Sequence, residues 1–218
     1  MQPWLRSLRV KIIFTHSLAQ AFSFHSVQPW LRSLRVKIIF THSLAQAFRF
    51  SLSVLRQMND IKTLANEVVA LLRSKGYTFA SAESCTGGAI ASAVTSVAGC
   101  SDVMLGAVVA YHNNVKQGVL GVAAETLDKH GAVSECVVRE MVQGVSQKLG
   151  ATCAVATSGV AGPGGGTAEK PVGTVWVAVK VGEGLVTRLL QLNDCGREKN
   201  IEKTVCEVLL MLKAELAV

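Results

Sequence analysis

At 218 residues, half of them apolar and only 6% aromatic, the chain is long enough for one medium-sized domain with an aliphatic core. Its formal charge of +7 suggests a polyanionic partner until position is considered: residues 1–57 hold eight of the 22 Lys and Arg and no acid, so the other 14 face all 15 Asp and Glu. The body from residue 58 onward is therefore close to neutral, which excludes a basic nucleic-acid groove on it.

The first 57 residues stand apart. Gln2–Phe22 recurs letter for letter as Gln28–Phe48, an offset of 26 residues. Structural repeats diverge because each copy packs in its own surroundings, so two perfect copies of a 21-residue segment point to a recent duplication in the DNA. Three readings of this leader stay open. It is foreign to the native protein, with translation starting at Met58; it is a targeting presequence, being acid-free and containing Arg and Ser; or it is a membrane-surface helix, because basic residues alternate with Trp, Leu, Ile and Phe. Its longest wholly apolar run is too short to span a bilayer. The leader is expected to be disordered or foreign, and the folded domain is expected over 58–218.

Asn59 or Asp60 caps a helix whose Ile61, Leu64, Val68, Leu71 and Leu72 recur at helical spacing, and Gly76 ends it. Tyr77–Ala82 is a strand, followed by the turn Glu83–Gly88 and a small-residue helix to about Val97. The apolar run Met104–Tyr111 predicts a strand buried on both faces. Helical turns follow at Val115–Leu120 and Ala124–His130; Gly131 breaks the chain, and Ser134 caps a helix to Leu149. Thr152–Ser158 is another buried strand, then come the loop Gly159–Pro171 and the strands Thr174–Val181 and Leu185–Leu192. A last helix fills Glu198–Ala217, with Val205, Leu209, Leu210 and Leu212 available for burial. Such alternation predicts an α/β fold, a three-layer sandwich whose mostly parallel or mixed central sheet is flanked by helices.

Three segments carry residues suited to chemistry. In Ala82-Glu83-Ser84-Cys85-Thr86-Gly87-Gly88, a hydroxyl sits on a strand-to-helix turn, and the N–H groups of Thr86, Gly87 and Gly88 fall at a helix start that favours negative charge. A serine nucleophile with an oxyanion hole fits that pattern, and so does a plain helix cap at Ser84 or Thr86. In Tyr111-His112-Asn113-Asn114-Val115-Lys116, polar residues leave the end of a strand, where open α/β sheets place ligands. The body's only histidines are His112 and His130, so no Ser-His-Asp set is evident. A partly buried Lys116 with a lowered pKa, aided by the Tyr111 hydroxyl, is the alternative base for Ser84; a solvated helix-face lysine is the plainer reading. His112 is expected to be a loop residue.

The third segment, Ser158 to Thr167, is glycine-rich and follows a buried strand, so its backbone can approach an anion closely. It lacks the Gly-Lys-Ser/Thr ending of a phosphate-binding Walker loop. A flexible linker is the competing reading, against which Pro163 and Pro171 argue. The six cysteines show no Cys-x-x-Cys pair or metal-ligand spacing, which suggests buried, reduced thiols and no structural zinc.

Taken together, AESCTGG, GAVVAYHNNVK, GAVSE and SGVAGPGGGTAEKPVGTVW resemble the CinA C-terminal domain family, which includes nicotinamide-nucleotide amidohydrolases, and the resemblance spans 58–218. It implies a hydrolase that converts nicotinamide mononucleotide and water to nicotinate mononucleotide and ammonia, with no metal and no cofactor. By similarity Ser84 is the nucleophile, Tyr111 and Lys116 activate it, and Thr86, Gly87, Gly88, Asn113, Gly162, Gly164, Gly165, Gly166 and Thr167 hold the nucleotide. A cytoplasmic location and a homodimer are family-level expectations, with no nucleic acid or membrane as partner of the folded domain. The family's usual Tyr-Ser-Asn-Glu-Ala-Lys stands here as Tyr-His-Asn-Asn-Val-Lys, and its Gly-Asp-Arg as Asn193-Asp194-Cys195-Gly196-Arg197. A catalytically silent nucleotide-binding or regulatory domain of the same fold is the alternative from another class.

Overall fold

The computed structural model describes residues 61–218, so the leader, the start at Met58 and the expected caps at Asn59 or Asp60 lie outside the described residues. The first helix, α1, covers residues 61–75 and buries Ala65, Val68, Val69 and Leu72 at i, i+3, i+4, i+7, one stripe of a helix. Strand β1 (Phe79–Glu83), helix α2 (Ala89–Thr95) and strand β2 (Met104–Val109) follow, then α3 (Asn113–Gly118), α4 (Ala124–His130) and α5 (Glu135–Leu149). Strands β3 (Cys153–Gly159), β4 (Thr174–Val181) and β5 (Gly184–Gln191) precede α6 (Arg197–Ala217). Each predicted element of the body is present, with ends shifted by a few residues.

The five strands form one sheet in the order β2-β1-β3-β4-β5. β2, β1 and β3 run parallel, whereas β4 is antiparallel to both β3 and β5, so the sheet is mixed. Alternation along the central strands sorts side chains by size. Phe79, Cys153, Val155, Val177 and Val179 pack with α1, α2 and α6 on one face. Ala80, Ala82, Ala154, Ala156 and Ala178 pack with α5 and its neighbours on the other. Small residues let α5 lie close. Gly144 on α5 carries that closeness further, since a Cβ there would sit 1.9 Å from the Leu120 carbonyl oxygen. Helices thus cover both faces, giving the three-layer sandwich.

Two expectations need correction. Met104–Val109 is an edge strand, and its residues alternate between half-buried and exposed, with Leu105 and Val109 each 46% exposed. A run with apolar residues on both sides reads like a central strand even when only one side is covered. On α6, Val205, Leu209 and Leu212 are buried, but Leu210 faces solvent because the stripe at 205, 208, 209, 212 and 216 leaves it on the outer side.

Candidate active site

The parallel strands β2, β1 and β3 end at the same edge of the sheet, and the chemistry-bearing segments leave the chain there. Ser84 is the first residue after β1; its N–H bonds the Thr157 carbonyl at 3.0 Å, which fixes the start of the turn against β3. Lys116 arrives from the far side on α3. His112 starts that helix by accepting the Asn114 N–H on Nδ1 at 3.2 Å, so it is a helix cap rather than a simple loop residue. One turn later Lys116 faces inward and is only 1% exposed.

The Lys116 Nζ lies 3.1 Å from Ser84 Oγ and donates to the carbonyls of Ala110 at 2.8 Å and Tyr111 at 3.4 Å. No carboxylate bonds it among the described residues. Burial therefore dominates and holds the ammonium pKa below its ordinary 10.5, with the neighbouring Cys85 acting weakly the other way. A neutral amine has two N–H bonds and one lone pair. With both N–H groups given to the two carbonyls, the lone pair is left for the Ser84 hydroxyl. Burial pushes the thiol of Cys85, next in sequence, up to about 12, which disfavours its thiolate.

Tyr111 is 60% exposed, and its hydroxyl accepts from Arg197 Nη2 at 2.8 Å. Its contact with Lys116 runs through the backbone carbonyl, not the phenol. Arg197 Nη1 donates to the Gly162 carbonyl at 3.0 Å, and Asn200, one turn along α6, donates to the Ala161 carbonyl at 3.1 Å. The first turn of α6 thereby holds two successive carbonyls of the loop after β3. Gly159 opens that loop where a Cβ would come within 2.6 Å of the Thr174 carbonyl. Sequence reasoning assigned Arg197 no role; the available signal was a Gly-Arg pair opening a long helix after a polar loop.

The turn after Ser84 differs from expectation. Gly88 N–H donates to Glu83 Oε2 at 2.9 Å, and Gly87 N–H returns to the Ser84 carbonyl at 3.1 Å. The Thr86 hydroxyl donates to Glu83 Oε2 at 2.8 Å. The helix start is thus filled by the protein's own carboxylate, which corrects the expectation of three free donors at Thr86, Gly87 and Gly88. Within the turn, the N–H of Thr86 has no acceptor among the described residues, and that of Cys85 has only its own thiol sulfur.

A pocket of about 230 Å³ joins Ser84, Tyr111, Asn113 and Lys116 to Ser158, Gly159 and Arg197. Gly162, Gly164, Gly165, Gly166 and Thr167 do not line it; Gly164–Thr167 are exposed, and Thr167 closes a turn of its own with Lys170. Among the described residues no group of His, Cys, Asp and Glu could hold a metal ion, and no helix is long and apolar enough to cross a membrane.

Comparison with known proteins places these features in a family. The CinA C-terminal domain model matches residues 61–216. A CinA-like protein of Cytophaga hutchinsonii is 48% identical over 157 residues, which cover 72% of this chain and 37% of that protein. One from Thermotoga maritima is 52% identical over 122 residues, 56% of this chain and 30% of that one. The matched part spans about a third of these relatives' length. Among solved structures, the competence/damage inducible protein CihA from Agrobacterium tumefaciens aligns with a TM-score of 0.71 and 41% identity, covering 73% of this chain and 96% of that one. The competence damage-inducible protein A from Klebsiella pneumoniae gives 0.70 and 38%, covering 72% and 97%.

Proposed function

The chain belongs to the CinA C-terminal domain family, and from that premise we propose that it is a nicotinamide-nucleotide amidase, releasing ammonia from nicotinamide mononucleotide through a Ser84–Lys116 pair. The observation that carries this reading is the buried Lys116 Nζ 3.1 Å from Ser84 Oγ, with its ammonium form disfavoured and no carboxylate to restore it. A carboxamide is a poor electrophile with a poor leaving group, so it needs an activated nucleophile, a stabilised oxyanion and a proton for the departing nitrogen.

In this scheme neutral Lys116 takes the Ser84 proton as Oγ attacks the amide carbon. The negative charge that develops on the carbonyl oxygen meets the N–H group of Thr86 and that of Cys85, which otherwise faces its own sulfur. Lys116 then returns the proton to nitrogen, the C–N bond breaks, and ammonia leaves an acyl ester on Ser84. Water, deprotonated by the same amine, hydrolyses the ester to the carboxylate. Arg197 is the cation of the pocket; two of its N–H groups are engaged, leaving others for the nucleotide phosphate.

Ammonia release from nicotinamide mononucleotide tests the proposal. The full chain is expected to release it and a folded Ser84→Ala chain to lose at least about a thousandfold in rate, as nucleophile removal does elsewhere. Equal rates in the two chains contradict it.

A further inference from the structure

The residue before the nucleophile is an ion buried without a counter-ion. Glu83 is 0% exposed, and no cation bonds its carboxylate among the described residues. Its charge is answered by five donors. Oε1 accepts from Ser81 Oγ at 3.0 Å and the Ala91 N–H at 2.8 Å. Oε2 accepts from Thr86 Oγ1 at 2.8 Å and from the N–H groups of Gly88 at 2.9 Å and Ile90 at 3.1 Å. Because Thr86 spends its proton on Glu83, the 2.8 Å contact between the Thr86 and Thr157 hydroxyls has Thr157 as donor, which ties the cluster to β3. A buried carboxylate costs several kcal/mol in desolvation unless fully bonded, and here the five donors and the carboxylate satisfy one another, so that removing either side leaves buried polar groups unpaired.

The geometry of the loop suggests what the ion does. Glu83 leaves the sheet as the last residue of β1, and its carboxylate comes back to residues 86, 88, 90 and 91. The segment Ser84–Gly87 is therefore closed at both ends by one residue. With the α2 amides consumed and Gly87 bonded to Ser84, the amides of the turn with no partner in another residue are those of Cys85, which faces its own sulfur, and Thr86. We propose that Glu83 is a positioning residue for the reaction: its five-fold bonded carboxylate closes the turn that aims Ser84 Oγ at Lys116 and reserves the Cys85 and Thr86 N–H groups for the oxyanion. The proposal rests on Ser84 being the nucleophile of the amidase reading. It follows that Glu83 acts on the chemical step and not on substrate binding.

The test pairs turnover of nicotinamide mononucleotide with labelling by a fluorophosphonate, read by mass spectrometry. In that labelling Ser84 Oγ bonds phosphorus, the P–F bond breaks, fluoride departs and the proton passes to Lys116, so the rate reports the nucleophile and oxyanion site whatever the natural amide is. Glu83→Gln keeps the size but turns an NH₂ group toward N–H donors. It is expected to lower kcat and labelling rate by roughly a hundredfold, comparable to losing one oxyanion donor, with KM held within about twofold. A folded Glu83→Gln chain whose labelling rate and kcat stay within about threefold of wild type overturns the proposal, as does a change confined to KM. Where Glu83→Gln fails to fold by circular dichroism, Thr86→Val and Ser81→Ala carry the test, each removing one donor and slowing labelling by about five- to tenfold; unchanged labelling in both overturns it. Wild-type chain that is phosphonylated on Ser84 yet releases no ammonia overturns the substrate assignment alone, and Glu83 is then judged on labelling rate.

Discussion

Lys116 is an amine buried at a cost in stability. Its folded-state pKa lies below 10.5, so between that lowered value and 10.5 the unfolded chain binds the proton more readily than the folded one. Stability contributed through this residue is therefore lost as pH falls through the folded pKa and recovered as pH rises toward 10.5. Replacing it with Met removes the titration. The stability of wild type relative to Lys116→Met, from urea unfolding, is expected to increase between pH 7 and pH 10; an unchanged difference would place the charge in a solvated site. Tyr111 yields a second expectation. Its phenol bonds Arg197 and its carbonyl bonds Lys116, so Tyr111→Phe disturbs the pocket rim while sparing the amine. KM is expected to rise by roughly tenfold with kcat changed less than about threefold, whereas a kcat collapse at constant KM would restore the phenol as a proton relay. Ser84 and Lys116 were legible in the sequence because each follows a recognisable strand. The roles of Glu83 and Arg197 were not, since one bonds amides that a sequence does not locate and the other bonds a tyrosine 86 positions away.

At the level of elements, α5 is placed by what it lacks. Gly→Ala in a helix ordinarily stabilises by about 1 kcal/mol. At Gly144 the added Cβ would meet Leu120 backbone at 1.9 Å and 2.8 Å, and backbone there has little room to give. Gly144→Ala is expected to destabilise by roughly 1–3 kcal/mol in chemical denaturation, and because Leu120 ends the segment that carries Lys116, activity should fall as well. A neutral or stabilising result would mean that the loop after α3 yields easily. Helix boundaries on α4 and α5 and the full extent of β4 were readable from caps, glycines and β-branched runs. The exposure of β2 was not, because an edge is defined by which strand is missing beside it, and that is fixed only when the sheet order is known.

Across the molecule, the two faces of the sheet obey different packing rules. On the valine face the side chains fill space themselves; on the alanine face the helix backbone is brought close. Val155→Ala is accordingly expected to cost about 2 kcal/mol by leaving a cavity. Its neighbour Ala156, pointing to the other side and fully buried, is expected to lose roughly 1–3 kcal/mol on change to Val, through overpacking. Thermal unfolding of both variants checks the pair, and a stabilising Ala156→Val would reveal slack under α5. The division matters for the pocket, because Val115 beside Lys116 and the buried face of α5 belong to the alanine side while Ile90 of α2, Val205 of α6 and the Phe79 face of β1 belong to the valine side. Ser84, at the end of β1, lies where the two meet. The three-layer α/β class was legible from alternating elements, but the mixed sheet order was not, since antiparallel pairing of β3 with β4 across the loop 160–173 leaves no periodic trace.

The central claim is that a neutral buried lysine activates Ser84, and the pH dependence of ammonia release from nicotinamide mononucleotide by the full chain tests it most directly. The logarithm of kcat/KM is expected to rise with a slope of about one as pH increases, then level off below the ordinary lysine value of 10.5 as Lys116 loses its proton. A profile that is flat from pH 6 to pH 10 would contradict a titrating Lys116 as the base.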